Sequence, residues 1–309
     1  MPKIGERCSK SGLKRVRWST NCQRQISKRP FDDCWATTYE AHTASNRVLR
    51  SSFIRPERLA SHNLQKKGQT MFKINTALVT GGTKGLGHAL TLALAKQGAH
   101  VFTTGRNADA IASLQTLARE ESLSIDVLRS DVSSWEDNQM LAKHIEESGR
   151  SLDLVIHNAS ILGPRVTLQE YPVEQFEKVM EINVNGPFML TKLLLPHITN
   201  GGCIQMLSSG VGNQGRAEWG AYCISKFATE GMGQILAAEL RERQIRVHII
   251  DPGSMRTEMR AKAYPQEDPN TLITPAENTK VFLWLATQGG LETSGQRYKA
   301  KELREELGD

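Results

Sequence analysis

The chain has 309 residues, 39% of them hydrophobic and 23% charged, which suits a soluble globular protein of one large domain or two small ones. No apolar run approaches the ~20 residues of a membrane-spanning helix, and the scattered Cys8, Cys22, Cys34, Cys203 and Cys223 form no CxxC pair or zinc spacing. The net charge of +6 belongs to one end: residues 1–70 carry 15 Lys/Arg against 5 Asp/Glu, and residues 71–309 carry 24 against 28.

The cysteines read as reduced thiols of an intracellular, cytoplasmic protein. The eight histidines form no HExxH, so nothing argues for a catalytic metal. Residues 1–70 are rich in Ser, Arg, Lys and Asn and lack hydrophobic periodicity, which predicts a basic, low-order extension. Three roles compete for it. An Arg- and Ser-rich organellar targeting peptide is one, although the first 20 residues form no clear amphipathic helix. A nucleic-acid arm is another, although its few aromatics are not interleaved with the charge. In the third, Met71 is the true start, because "MFKINTALVT" puts the first strand five residues after a methionine. The expectation is a dispensable tail ahead of one domain over 71–309.

From Thr76 strands and helices alternate. "TALVT" (76–80) is a short apolar strand, and "GLGHALTLALAKQGA" (85–99) a helix with Leu86, Leu90, Ala93 and Leu94 on one face. Strand 100–104, helix 108–121 and strand 124–132 follow, then helix 135–148 and strand 152–160. A helical stretch runs from about 172 to 197. Strand 202–209, helix 219–243 and strand 245–253 come next. This order predicts a single doubly wound α/β domain, a central parallel sheet covered by helices on both faces.

"TGGTKGLG" (80–87) lies between strand and helix inside a βαβ unit spanning 76–104. A glycine turn can simply connect two elements, but this context suits a dinucleotide loop. Gly81 would allow the turn, while Gly85 and Gly87 would let the backbone approach a pyrophosphate at the helix N-terminus. An NAD site places an acid after the second strand. Here "TTGRN" (103–107) has none, and Arg106 and Lys84 suit the 2′-phosphate of NADP(H) instead.

In "YCISK" (222–226), Tyr222 and Lys226 are four residues apart and share a helix face. A free phenol titrates near pH 10, and a neighbouring ammonium would lower that value. Such a pair suits a hydroxyl–carbonyl redox reaction, in which one proton moves with a hydride. An isolated YxxxK is common on solvated helices.

Together with these strings, "DV" (131–132), "HNAS" (157–160), "INVNG" (182–186), "MLSS" (206–209) and "DPGSMRT" (251–257) follow in a familiar order. From about residue 72 the chain resembles the short-chain dehydrogenase/reductase family, simple single-domain type with a Rossmann fold. The resemblance implies that Tyr222 is the general acid or base and that Lys226 tunes it and binds the nicotinamide ribose. Ser209 would hydrogen-bond the substrate oxygen, and Asn183 would hold a water linking Lys226 to solvent. It implies cofactor contacts from the loop residues Gly81, Thr83, Lys84, Gly85, Leu86 and Gly87, and from Arg106. Asp131 and Val132 would contact the adenine, Asn158 and Ala159 would line the groove, and Pro252, Gly253 and Thr257 would hold the carboxamide. His157 and Ser160 depart from the family's NNAG. Strand alternation predicts that Ser208, unlike Ser209, points into the fold.

Substrate recognition should lie in the loops near 161–170, 210–219 and 254–275, the last read as a mobile lid. Arg216, Arg256 and Arg260 there read as surface charges rather than anchors for an acidic substrate. The resemblance also implies a small carbonyl or alcohol substrate and a homodimer or homotetramer; no membrane and no nucleic-acid partner is expected of the body. A catalytically idle NADP-binding regulator or scaffold is the alternative.

Overall fold

The computed structural model describes residues 72–288 and 290–308. The basic segment 1–70 and Met71, which carry the predicted domain boundary and the three readings of the tail, lie outside the described residues.

Each predicted strand forms. They are β1 (Thr76–Val79), β2 (His100–Gly105), β3 (Ile125–Arg129), β4 (Leu152–His157), β5 (Ile198–Leu207), β6 (Arg246–Asp251) and a short β7 (Arg297–Lys299). They pair in parallel in the order β3-β2-β1-β4-β5-β6-β7. Buried on both faces, such strands read as continuous apolar runs. Alternation divides β1 between two cores. Ala77 and Val79 pack with Leu90 and Leu94 of helix α1 (Gly85–Lys96) and with Phe282 of α8 (Thr279–Gln288). Leu78 faces the other way, towards Ile145 of α3 (Trp135–Glu147), Leu190 of α5 (Gly186–Leu194) and Leu236 of α6 (Gly220–Glu239). Helix α2 (Ala108–Glu120) packs on β3.

After β3 the chain crosses back to place β4 beside β1. The carboxyl ends of those two strands therefore flank a crevice, the place where ligands of doubly wound sheets bind. The glycine loop leaves β1 and "HNAS" leaves β4, so both stand at that crevice. β3 stops at Arg129, which puts Asp131 in the following loop rather than in the strand.

The helix predicted over 172–197 is interrupted. Helix α4 (Val173–Met180) passes into a π-helical turn, Glu181–Asn185, before α5 begins at Gly186. Pro187 explains the break. It has no N–H, so the carbonyl of Asn183 four residues earlier loses its α-helical donor. The site asparagine thus sits inside an irregular turn. A 3₁₀ turn, Leu195–His197, then leads into β5, which begins at Ile198 rather than at 202.

Helix α6 lies close on β6 because it carries a glycine at the contact. A Cβ on Gly233 would fall 2.4 Å from Cγ1 of Ile249, a fully buried residue. Gly233→Ala should therefore destabilise the domain by about 1–3 kcal/mol, the usual cost of overpacking. At roughly 2–4 °C per kcal/mol for a domain of this size, the loss is readable by thermal melting. An unchanged Tm would mean that the helix–sheet spacing is not fixed at this contact.

Candidate active site

At the crevice, α1 starts with an open N-terminus. Its N-cap, Lys84, makes no side-chain capping bond, and its first turn holds no acid. The first N–H groups and the positive end of the helix therefore face the loop without a competing side chain. Gly85 has φ +57°, and a Cβ there would meet only Thr257 Cγ2, at 3.7 Å. That side of the loop is open, as an approaching phosphate needs. Gly87 carries a further constraint: a Cβ on it would lie 2.4 Å from both the Gly81 oxygen and Asn158 Nδ2. It serves the packing of helix on loop. The Leu86 side chain belongs to the core, and Val132 is also buried. Thr83 packs where Gly105 has no side chain.

Asn158 braces the loop from β4. Its amide donates to the carbonyls of Thr80 (2.8 Å) and Gly81 (3.3 Å). The backbone N–H groups of Asn158 and Ala159 both donate to Thr80 Oγ1, each at 3.0 Å. Thr80 was not singled out from sequence, although it opens the glycine string. His157, the departure from NNAG, is buried and bonds Thr191 of α5 at 2.9 Å. Burial lowers its pKa to about 4, so it is neutral.

The two cations expected at the cofactor's 2′ position are ion-paired. Arg106 Nη1 lies 3.1 Å from Asp131 Oδ2, and Lys84 Nζ lies 2.9 Å from Glu258 Oε2. Asp131 also accepts bonds from the N–H and hydroxyl of Ser133. Partial burial raises its pKa, but these bonds and Arg106 outweigh that, and the net direction is down.

Helix α6 carries a stripe at four-residue spacing: Tyr222, Lys226 and Glu230, all buried. Lys226 is only 3% exposed, and its Nζ donates to the carbonyl of Leu207 at 2.8 Å. Burial pulls its pKa down to about 8, against the opposing pull of the Glu230 and Asp251 carboxylates. Tyr222 is pushed up to about 12 by burial; a hydrogen bond with Ser209 works against this, and the charge of Asp251 adds to it. The sequence reading had Lys226 lowering the phenol's pKa. Here Nζ stands 5.4 Å from the ring centroid, and desolvation decides the direction. Ser208 turns inward to Glu230 while Ser209 faces Tyr222, as strand alternation requires.

Asn183 closes the rear of the site with its side chain. Its Oδ1 accepts from Ile161 N–H, and its Nδ2 donates to Ile161 O and to Ser225 Oγ, at 2.9–3.0 Å. The amide thereby joins the loop after β4 to α6.

Ser209, Tyr222, Pro252, Gly253 and Thr257 line one cleft of about 570 Å³, whose outer wall includes Trp219 and Tyr264. Thr257 also caps α7 (Glu258–Ala263), accepting from Arg260 N–H at 3.2 Å. Of the three arginines weighed from sequence, Arg216 and Arg260 line the cleft and Arg256 does not. Arg260 is held by both oxygens of Glu267, and Arg256 bonds the carbonyls of Pro269 and Leu272. A residue missed from sequence, Arg165, lies over the Trp219 ring at 4.5 Å and donates to the Ala263 carbonyl, tying the three cleft loops together. Among the described residues, no helix is long and apolar enough to cross a membrane.

The arrangement offers an uncommitted helix N-terminus for an anion and, beside it, a buried phenol lining an open cleft with a buried ammonium one helical turn behind it. Known proteins match this chain in sequence and in fold. The short chain dehydrogenase family matches residues 75–268. The uncharacterized oxidoreductase YciK of Escherichia coli K12 is 39% identical over 241 residues, covering 75% of this chain and 94% of its own. A short chain dehydrogenase structure from Escherichia coli CFT073 complexed with NADPH is 40% identical, covering 74% of this chain and 96% of that one, with a TM-score of 0.70. One from Shigella flexneri 2a complexed with NADP is 39% identical, covering 75% and 99%, with a TM-score of 0.71. By sequence, motif order and fold, this chain belongs to the short chain dehydrogenase family.

Proposed function

We propose that this protein is an NADP(H)-dependent oxidoreductase that interconverts a carbonyl and an alcohol, with Tyr222 carrying the proton. The observation that carries the reading is the buried Tyr222 and Lys226 one helical turn apart, with a partly exposed Ser209 bonded to the phenol at a cleft open to solvent. A protein that only bound a nucleotide could use the ammonium for the ribose but would not need a desolvated phenol bonded to a serine beside it. That argues for an enzyme over an idle regulator.

The residues present fit the cofactor. The α1 N-terminus takes the pyrophosphate, with Gly81, Thr83 and Gly85 shaping the loop and Asn158 and Ala159 bracing it. Asp131 and Val132 border the adenine, and Pro252, Gly253 and Thr257 border the nicotinamide end. Arg106 and Lys84 serve the 2′-phosphate. The Lys84–Glu258 pair is exposed and Asp131 is only partly buried beside an exposed Arg106, and ion pairs near the surface contribute only about 0–1 kcal/mol. A phosphate therefore displaces them at little cost. The NADPH and NADP held by the two relatives support the same choice.

When bound, the nicotinamide supplies or accepts the hydride. Ser209 orients the substrate oxygen toward the phenol. Tyr222, protonated at neutral pH, donates to that oxygen during reduction. Lys226 offers its positive charge to the developing phenolate and its N–H groups to the ribose. Asn183 acts through its backbone: the carbonyl that Pro187 deprives of an α-helical donor holds the water that links Lys226 to solvent. The side-chain amide is already committed to Ile161 and Ser225.

We also propose a cytoplasmic homodimer or homotetramer. Ile224, Phe227 and Ile235 share one exposed face of α6, and Phe188 is exposed on α5. Such a stripe is costly to leave in water.

Arg106→Asp should weaken NADPH binding by one to two decades and leave NADH binding unchanged or improved, since a charged hydrogen bond contributes about 1.5–3 kcal/mol. Calorimetric titration with both nucleotides reads this. A wild-type protein that binds NADH as tightly as NADPH would sink the assignment.

Tyr222→Phe should keep the fold and NADPH affinity while turnover falls by at least about 10²–10⁴-fold, the usual contribution of a general acid. The pH profile follows from the two shifts. With Tyr222 near 12, the phenol stays protonated through the range of an ordinary assay. The Lys226 ammonium is lost above about 8. Reductive kcat/KM should therefore be level below that value and fall above it. Near-wild-type turnover in Tyr222→Phe, on a substrate that the wild type reduces, would place the proton donor elsewhere.

A further inference from the structure

Behind the serine and the lysine lies a charged cluster of Glu230, Asp251 and Arg297, two of whose members, Glu230 and Arg297, stand outside the family strings. Arg297, at the start of β7, is its centre. Its Nη1 donates to Glu230 Oε1 and to Ser208 Oγ (3.2 Å). Its Nη2 donates to the carbonyl of Ser209 (2.9 Å) and to Asp251 Oδ2 (3.0 Å). One guanidinium thus joins the end of β5, the end of β6 and the middle of α6. Glu230 stands one turn beyond Lys226 on the same buried stripe, just as Lys226 stands one turn beyond Tyr222.

We propose that Arg297 and Glu230 are positioning residues for the reaction: Arg297 fixes the backbone of Ser209, and the Glu230–Arg297–Asp251 set supplies the net negative charge that Lys226 faces. The proposal rests on the catalytic reading above. Two carboxylates and one guanidinium carry a net charge of −1 beside the buried ammonium. A purely structural role explains the cluster less well, because a buried ion pair is often no more stabilising than apolar residues of the same volume. Nor would such a role require the guanidinium to hold the carbonyl of the serine that meets Tyr222.

The charged groups around Lys226 are few. On α6 they are Tyr222 and Glu230. Strand β6 presents Asp251 at its end, with Arg246 and His248 at its other positions, and β5 offers only Cys203. Helix α4 and the π-helical turn carry Glu174, Glu177, Lys178 and Glu181, none of them buried. Of all these, the carboxylates acting on Lys226 are Glu230 and Asp251, both in the direction that favours the ammonium. Arg297 reaches the lysine through those two.

The sign of each change follows. Glu230→Gln makes the cluster neutral, so the ammonium should be lost at lower pH. Arg297→Gln leaves two carboxylates unopposed at alkaline pH, so the ammonium should persist to higher pH. Each shift should be about one pH unit, as for an adjacent opposite charge. Arg297→Gln also frees Ser209, with kcat falling by about 10–100-fold, as misplacement of a reacting group does. Arg297→Lys retains the charge but not the forked geometry. It should keep the wild-type pH limb and still lose kcat.

The experiment uses the full chain and NADPH-dependent carbonyl reduction. The pH limb of kcat/KM is measured for the wild type and the three variants, with thermal melting as a check on folding. In parallel, the Lys226 13Cε resonance, identified by its absence in Lys226→Ala, is titrated by NMR. Opposite shifts of limb and resonance in Glu230→Gln and Arg297→Gln support the device. A Lys226 titration unmoved in folded Glu230→Gln overturns its charge-setting part. Wild-type kcat in folded Arg297→Gln overturns the serine-positioning part. A wild type without reductase activity counts against the catalytic reading instead, and the NMR titration still decides whether the cluster governs Lys226.

Discussion

The arrangement of this domain at its catalytic end follows from burying one ammonium. Lys226 lies almost wholly out of water, where an unpaired charge would lose its proton or disrupt the fold. Three features keep it charged at neutral pH. The Leu207 carbonyl accepts one N–H, and the carboxylates of Glu230 and Asp251 offset much of the desolvation. Each comes from a different place: the end of β5, the body of α6 and the end of β6. The sheet order must therefore place β5 beside β6, and α6 must lie close across both. Gly233 permits that approach by leaving room for Ile249.

The same geometry explains why the phenol sits above its ordinary pKa. Burial acts on both members of the pair in opposite senses, because it disfavours the charged form of each. Tyr222 is held as neutral phenol, and Lys226 is brought nearer to neutrality. A proton donor and a proton-exchanging neighbour then coexist within one helical turn. A phenol held neutral suits the proton donation proposed for reduction. Ser209 works in the other direction, because its hydrogen bond favours the phenolate.

Much of this was legible in the sequence because the relevant signals are local. Strand-helix alternation, the glycine string and the four-residue spacing of Tyr222 and Lys226 each depend on neighbours within a few residues. Strand alternation alone sent Ser208 inward and Ser209 outward. The helical stretch over 172–197 formed as expected, but its π-helical turn was not foreseen, because it depends on one missing N–H at Pro187. The packing constraint on Gly87 was not legible, because it is set by the oxygen of Gly81 and the amide of Asn158, and the second lies 71 positions away. Arg297 was invisible for the same reason. Its partners Glu230, Asp251 and Ser209 lie 46–88 positions upstream, and no short pattern links them. Thr80 was in view but unremarked, since its role depends on β4 returning beside β1.

The substrate side of the cleft is built on a different principle. Cofactor and proton machinery rely on backbone geometry and on buried charge, both fixed by the sheet. The cleft loops are joined instead by side chains: Arg165 on Trp219, Arg260 on Glu267 and on the Tyr264 ring, Arg216 on the Tyr264 hydroxyl. These contacts lie at or near the surface, where each contributes modestly. None of them touches Lys226, Glu230 or Arg297. Loop sequence can therefore change without disturbing the buried charges, and the shape of the cleft is free to vary while the framework beneath it stays constant. The cations already committed within the loops, Arg165 and Arg260, serve this framework. Arg216 joins it through the Tyr264 hydroxyl at 3.0 Å.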